Sequence, residues 1–259
     1  MRPDPSDKGR VKLFKTSGYP DYVQDSILYW VRSNWKYSYE ETSDILKTLS
    51  ILWSARASLA FVLNEEKGAD DPLAFLSLEI QADIEASILL AVSGFYRHAR
   101  TALRGWLSLA FLSVWFSFNR KHFDSWIHRS PEAPFKHGDV MKRRCLKELV
   151  SKSSSLSRSE IEFALVENSM KLYEELCDFV HATGKKALDI YQRADSVPHF
   201  HPELLKSWFD DFYQVFEILI ILSFARYPEL LRMTRHRREK EEILSILSDA
   251  KRTKIRSLT

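Results

Sequence analysis

Arg193 and His199 stand with five residues between them in Arg193-Ala194-Asp195-Ser196-Val197-Pro198-His199-Phe200-His201. A guanidinium can grip a phosphate and an imidazole can move a proton near neutral pH, so the pair could cleave RNA without a metal. The plainer reading is a chance spacing in a loop that Pro198 enforces. His199 and His201 are poor zinc ligands at an i, i+2 spacing, and no metal or cofactor is assigned. Arg97, Arg100 and Arg104 fall on neighbouring turns of one helix, with His98 between them. Their segment is otherwise apolar, so at least one of them should point inward and need a carboxylate, with Glu174, Glu175 or Asp178 as partner. Such a row could hold an anion or a phosphate, or be a structural ion pair in a bundle. The expectation is that Arg97 or Arg104 is at least half-buried on an acidic group. Asp178 and His181 share a helix face three residues apart. They could do acid–base work, or His181 could simply end its helix at the turn into Gly184. No HExxH, Walker loop, GxGxxG or GxSxG is present.

The elements that must position these residues are all helical. From Pro72 to Asn119 apolar residues recur at three- and four-residue steps: Phe75, Leu78, Ala82, Leu89, Val92, then Tyr96, Ala99, Leu103 and Trp106. The spacing predicts one very long helix, or two nearly collinear ones bent at Gly94, with Asp70-Asp71-Pro72 as its start. Upstream, a short helix is expected over Asp21–Trp35. A longer one, Tyr39–Glu66, is capped by Ser38 and shows Leu49, Leu52, Leu59 and Val62 on its apolar face. Downstream, helices are expected over Lys121–His128, Asp139–Val150, Ser159–Thr183 (interrupted near Asn168) and Pro202–Tyr227. A charged helical tail follows from Glu229 to about Arg256. Residues 1–20 read as a loosely docked arm, 21–227 as a bundle domain and 228–259 as the tail. No stretch alternates as a strand, so the expected class is all-α.

The chain has 259 residues, 45% of them hydrophobic and 28% charged, with a net charge of +3. That charge is too small to imply nucleic acid by itself. The basic character lies in the tail, where Tyr227–Thr259 carries nine Lys/Arg against five Asp/Glu. Two cysteines, Cys145 and Cys177, form no CxxC pair and suit a reducing compartment. The polar N-terminus does not read as a secretory signal, and the runs Trp106–Phe118 and Val215–Phe224 are too short to span a bilayer. A cytoplasmic protein with no membrane contact is expected. The tail keeps an apolar stripe of Ile243, Ile246 and Leu247. That stripe must dock on the bundle of its own chain or on another chain; with Arg235–Arg238 as a hinge, a second copy or a partner protein is the favoured expectation.

Two stretches, Gly94-Phe95-Tyr96-Arg97-His98-Ala99-Arg100-Thr101-Ala102-Leu103-Arg104 and Leu176-Cys177-Asp178-Phe179-Val180-His181, lie about 70 residues apart. Over roughly residues 73–183 the chain resembles HEPN-like all-helical proteins of bacterial abortive-infection and phage-defence systems. The resemblance implies a helical bundle, a homodimer, and a metal-independent ribonuclease with an arginine and a histidine four to six residues apart. Arg193 and His199 have that spacing, and they lie in a loop rather than at a helix start. No acidic residue follows Arg104, where Gly105, Trp106, Leu107 and Ser108 stand. The function expected is that of a HEPN-like cytoplasmic protein of a defence or toxin system, acting on RNA if it is an enzyme. The alternatives are a non-catalytic interaction or oligomerisation component and a small-molecule sensor.

Overall fold

The computed structural model describes residues 21–128, 139–181 and 200–258. Among them the chain is all-α, with twelve helices, one 3₁₀ turn at Asp139–Met141 and no strand. The expected arm 1–20, the loop around Pro131 and Pro134, and the pair Arg193 and His199 lie outside the described residues.

Gly94 decides the centre of the molecule. Helix α1 spans Asp21–Glu41, α2 Ser43–Lys67, α3 Pro72–Val92 and α4 Tyr96–Phe118. At the end of α3, Gly94 takes φ +85°. Its N–H bonds Ala91 O at 3.0 Å and the next N–H, of Phe95, bonds Leu90 O at 2.8 Å. Those two bonds close a Schellman motif with glycine at the left-handed position. The chain then reverses. Ser87 Oγ donates to Ala99 O at 2.8 Å, and the Phe75 and Phe123 rings meet edge-to-face at 5.5 Å. A Cβ on Gly105 would come within 2.8 Å of Asp83 Oδ2. The expected long or collinear helix is therefore an antiparallel hairpin. Its start is as expected, with Asp71 capping the Leu73 and Ala74 N–H groups and Pro72 in the first turn.

The reversal also resets the apolar face. Tyr96, Ala99, Leu103 and Trp106 are buried on α4, as their spacing predicts. On α3 the core face is Leu73, Leu76, Ile80, Ile84 and Ala91, whereas Phe75 and Leu89 are exposed.

The remaining helices wrap this hairpin. They are α5 (Arg120–Ile127), α6 (Arg143–Val150), α7 (Ser154–Phe163), α8 (Leu165–His181) and α9 (Pro202–Arg226). Helix α4 lies against α3, α9 and α8, and Trp106 packs edge-on against Phe212 and Phe216 of α9. The interruption expected near Asn168 falls at Ala164, which ends α7 at φ +46°. Asn168 sits just beyond, and its side-chain amide donates to Phe163 O at 2.7 Å. Helix α1 runs past Trp35 to Glu41, and Ser38 donates to Val92 O at 3.0 Å instead of capping a new helix.

The tail forms three short helices, α10 (Glu229–Arg232), α11 (Arg237–Ser245) and α12 (Asp249–Arg256), rather than one. Breaks at 233–236 and 246–248 fold it back on its own bundle, with α11 along α2 and α12 near α9. Ile243, Leu244, Leu247, Ile255 and Leu258 are all buried in the single core cluster. The expected docking of this stripe on another chain is corrected: the stripe is already covered within the chain. Helices α2 and α4 are long and apolar enough to cross a membrane by length and composition. Helix α4 meets that test as a core helix, mostly buried between its neighbours.

Candidate functional site

The arginine row of α4 lines the seam with α8 and α9, and each arginine has a different fate. Arg100 is the inward one, with none of its side chain exposed. Its Nε donates to Asp211 Oδ2 at 2.7 Å and its Nη2 to Ser207 Oγ at 2.9 Å, both on α9. The guanidinium carbon lies 4.5 Å from the Phe179 ring centroid, a cation–π contact. Burial pushes the Arg100 pKa down, and Asp211 pulls it back up by charge and hydrogen bond.

Arg97 is half-buried and turns to the last turn of α8. Its Nε donates to Phe179 O and its Nη2 to Val180 O, both at 2.8 Å. These carbonyls lie in the last described turn of α8, toward the negative end of its dipole, so a cation there is favourable. Arg104, also half-buried, directs Nη1 at Cys177 Sγ, 3.9 Å away. Beside it, burial and the neighbouring Cys177 raise the Tyr173 pKa.

The expectation that a buried arginine sits among these three holds, but its place and partner differ. The fully buried one is Arg100, not Arg97 or Arg104, and its acid is Asp211, not Glu174, Glu175 or Asp178. Asp178 is half-buried and His181 is exposed at the end of α8. Of the two readings of the row, Arg100 makes the structural ion pair, with Asp211 as its counter-charge in the interior.

Four pieces of chain meet where the hairpin turns. Asn34 of α1 donates to Ser93 O at 2.9 Å and accepts the Phe200 N–H at 3.0 Å. Trp35 Nε1 donates to Ser93 Oγ at 2.9 Å. Tyr96 accepts the His201 N–H at 2.9 Å and donates to His201 O at 3.2 Å. Burial raises the Tyr96 pKa to about 12, against the opposing His201 hydrogen bond and Arg100 charge. The chain leaves the described residues after His181 and re-enters them at Phe200, both at this end. Arg193 and His199 lie in the intervening segment, outside the described residues.

The sequence reading missed Asp211, Ser207 and Tyr96. Asp210-Asp211 does interrupt the apolar run of α9 between Phe209 and Phe212, which is the signal that could have found the partner of Arg100. Among the described residues no group of three His, Cys, Asp or Glu side chains could hold a metal ion. Comparison of the chain with family models, curated proteins and solved structures gives no match.

Proposed function

We propose that the chain is a HEPN-like helical protein of a bacterial defence or toxin system that acts on RNA without a metal. One observation carries the reading. The two stretches behind the resemblance touch through all three arginines, and the segment holding Arg193 and His199 begins and ends beside them. In this reading Arg193 holds the phosphodiester and His199 takes a proton from the ribose 2′-hydroxyl, which attacks phosphorus as the 5′-oxygen leaves. DNA, lacking that hydroxyl, would be inert. The protein would be cytoplasmic, and two copies would build one site, using a surface other than the tail stripe. The test is cleavage of a short single-stranded RNA by purified protein in the presence of a chelator. His199→Ala should lower the rate by about 10²-fold or more, Arg193→Ala should do likewise, and both should relieve any slowing of growth on expression. Equal cleavage and equal toxicity of wild type and variants would overturn it.

A second reading, a non-catalytic interaction protein, is favoured by what the arginines already do. Arg100 is neutralised by Asp211 and Arg97 closes the end of α8, so two of the three have structural duties. That reading expects no cleavage of RNA and a stable homo-oligomer or partner complex by light scattering.

A further inference from the structure

The tail holds a second cluster of charge, away from the arginine row. The turn after α10, helix α11 and helix α12 enclose a pocket of about 440 Å³ that opens to solvent. Arg237, Lys240 and Arg256 line it, with Glu241 as the one carboxylate. Glu241 is held by Arg256 Nη2, at 3.0 and 2.8 Å to its two oxygens. Among the described residues no carboxylate lies within 4.0 Å of Arg237 or Lys240.

Lys240 is the unusual member. It is 7% exposed, and its ammonium donates to Leu231 O at 3.3 Å and to Met233 O. Two of its three protons therefore rest on neutral carbonyls. Burial pushes its pKa down, with Glu241 pulling up and Arg237 adding to the fall. The hydrogen bonds of this buried cation go to carbonyls, and Glu241 acts on it by charge without an ion-pair contact, so the counter-charge that burial normally demands is only partly met. Met233 and Leu244 form an apolar wall beside it.

We propose that this pocket binds the phosphate group of a small organic phosphate, with Arg237, Arg256 and Lys240 around the anion and Met233 and Leu244 against its carbon body. A dianionic phosphate offers acceptor oxygens to guanidinium and ammonium donors at once. The pocket is concave and Lys240 lies deep in it, which suits a small molecule. A polymer backbone would instead be tracked by an exposed basic groove. The site is independent of Arg193 and His199, so its fate says nothing about cleavage.

Isothermal titration of the full-length protein with inorganic phosphate, with ATP in the absence of magnesium, and with a short oligouridine tests the proposal. ATP should bind saturably at one site per chain, and inorganic phosphate should compete with it more weakly. The double variant Arg237→Gln, Arg256→Gln changes two exposed side chains and should keep the wild-type circular-dichroism melt. It should weaken ATP at least about tenfold. Glu241→Gln should tighten binding, because it removes the competing carboxylate and frees Arg256. The proposal is overturned if neither phosphate nor ATP binds, or if the double variant binds ATP like wild type. Binding of oligouridine alone would overturn it in favour of a nucleic-acid surface.

Discussion

Arg100 is closed off from solvent, and the network it joins replaces water at Nε and Nη2 while Nη1 stays buried without a hydrogen-bond partner. Asp211 supplies the counter-charge, Ser207 a second acceptor and Phe179 a π face. Removing one partner of such a pair leaves a buried, uncompensated charge. Arg100→Ala should therefore lower the unfolding free energy by about 3–5 kcal/mol, read from the urea midpoint. The double change Arg100→Met, Asp211→Leu should recover most of that loss, because it removes both charges and keeps the volume. Arg104→Ala, which loses only a long contact to sulfur, should cost much less. An Arg100→Ala protein as stable as wild type, or a double variant no better than the single, would refute this account. That one arginine of the row turns inward was legible in the sequence, because a cation in an apolar helix must find an acid; that it is Arg100 and not Arg97 or Arg104 was not. Its partner was not, because the choice between Asp178 and Asp211 depends on which helices pack across α4. Spacing within one helix carries no such information.

Helix identity was legible nearly throughout the described residues, and the failures there come from turns. Extending the three- and four-residue rhythm of α4 back through Gly94 put Phe75 and Leu89 on the core face. The left-handed turn breaks that phase, so Leu76, Ile80 and Ile84 are buried instead. Gly94→Ala should destabilise the protein by about 1–2 kcal/mol, the cost of a left-handed conformation with a Cβ, while Gly94→Asn should cost less. Equal melting temperatures for the wild type and the Gly94→Ala variant would contradict the Schellman assignment. The contact of α11 with α2 has a pH signature of its own. Ser54 and Ser58 donate to the Glu242 carboxylate and hold its pKa below the usual 4.5. Because the folded value is the lower one, this stabilisation is complete above about 4.5 and is lost as pH falls through the folded value. Glu242→Gln should thus flatten part of the acid-side fall in the urea midpoint. A variant whose acid profile overlays that of wild type would remove Glu242 from the account.

For the molecule as a whole, the tail completes the bundle. Its apolar stripe was legible, but what covers it was not. Arg235–Arg238 read as a solvated hinge, yet Arg235 reaches Glu65 at 3.0 Å and His236 Nε2 lies 3.1 Å from Glu66. The His236 ring also meets Phe61 edge-to-face at 5.3 Å. The breaks on either side of α11 are what let Ile243, Leu244 and Leu247 reach the α2 side of the core. Ile255 and Leu258 complete the same core from α12 onward. Each such side chain contributes about 1.5–3 kcal/mol when buried. Deleting residues 234–259 also removes the cost of ordering that segment, so the net effect rests on the apolar surface left bare on α2 and α9. Total stability in domains of this kind is about 5–15 kcal/mol, and uncovering a face of the core takes up a large part of it. The truncated chain should melt well below the full chain, bind an apolar dye at low temperature and self-associate through the uncovered face. A truncated protein that melts where the full chain does and binds no dye would mean that the core is already closed at Tyr227, and that α11 and α12 merely rest on it.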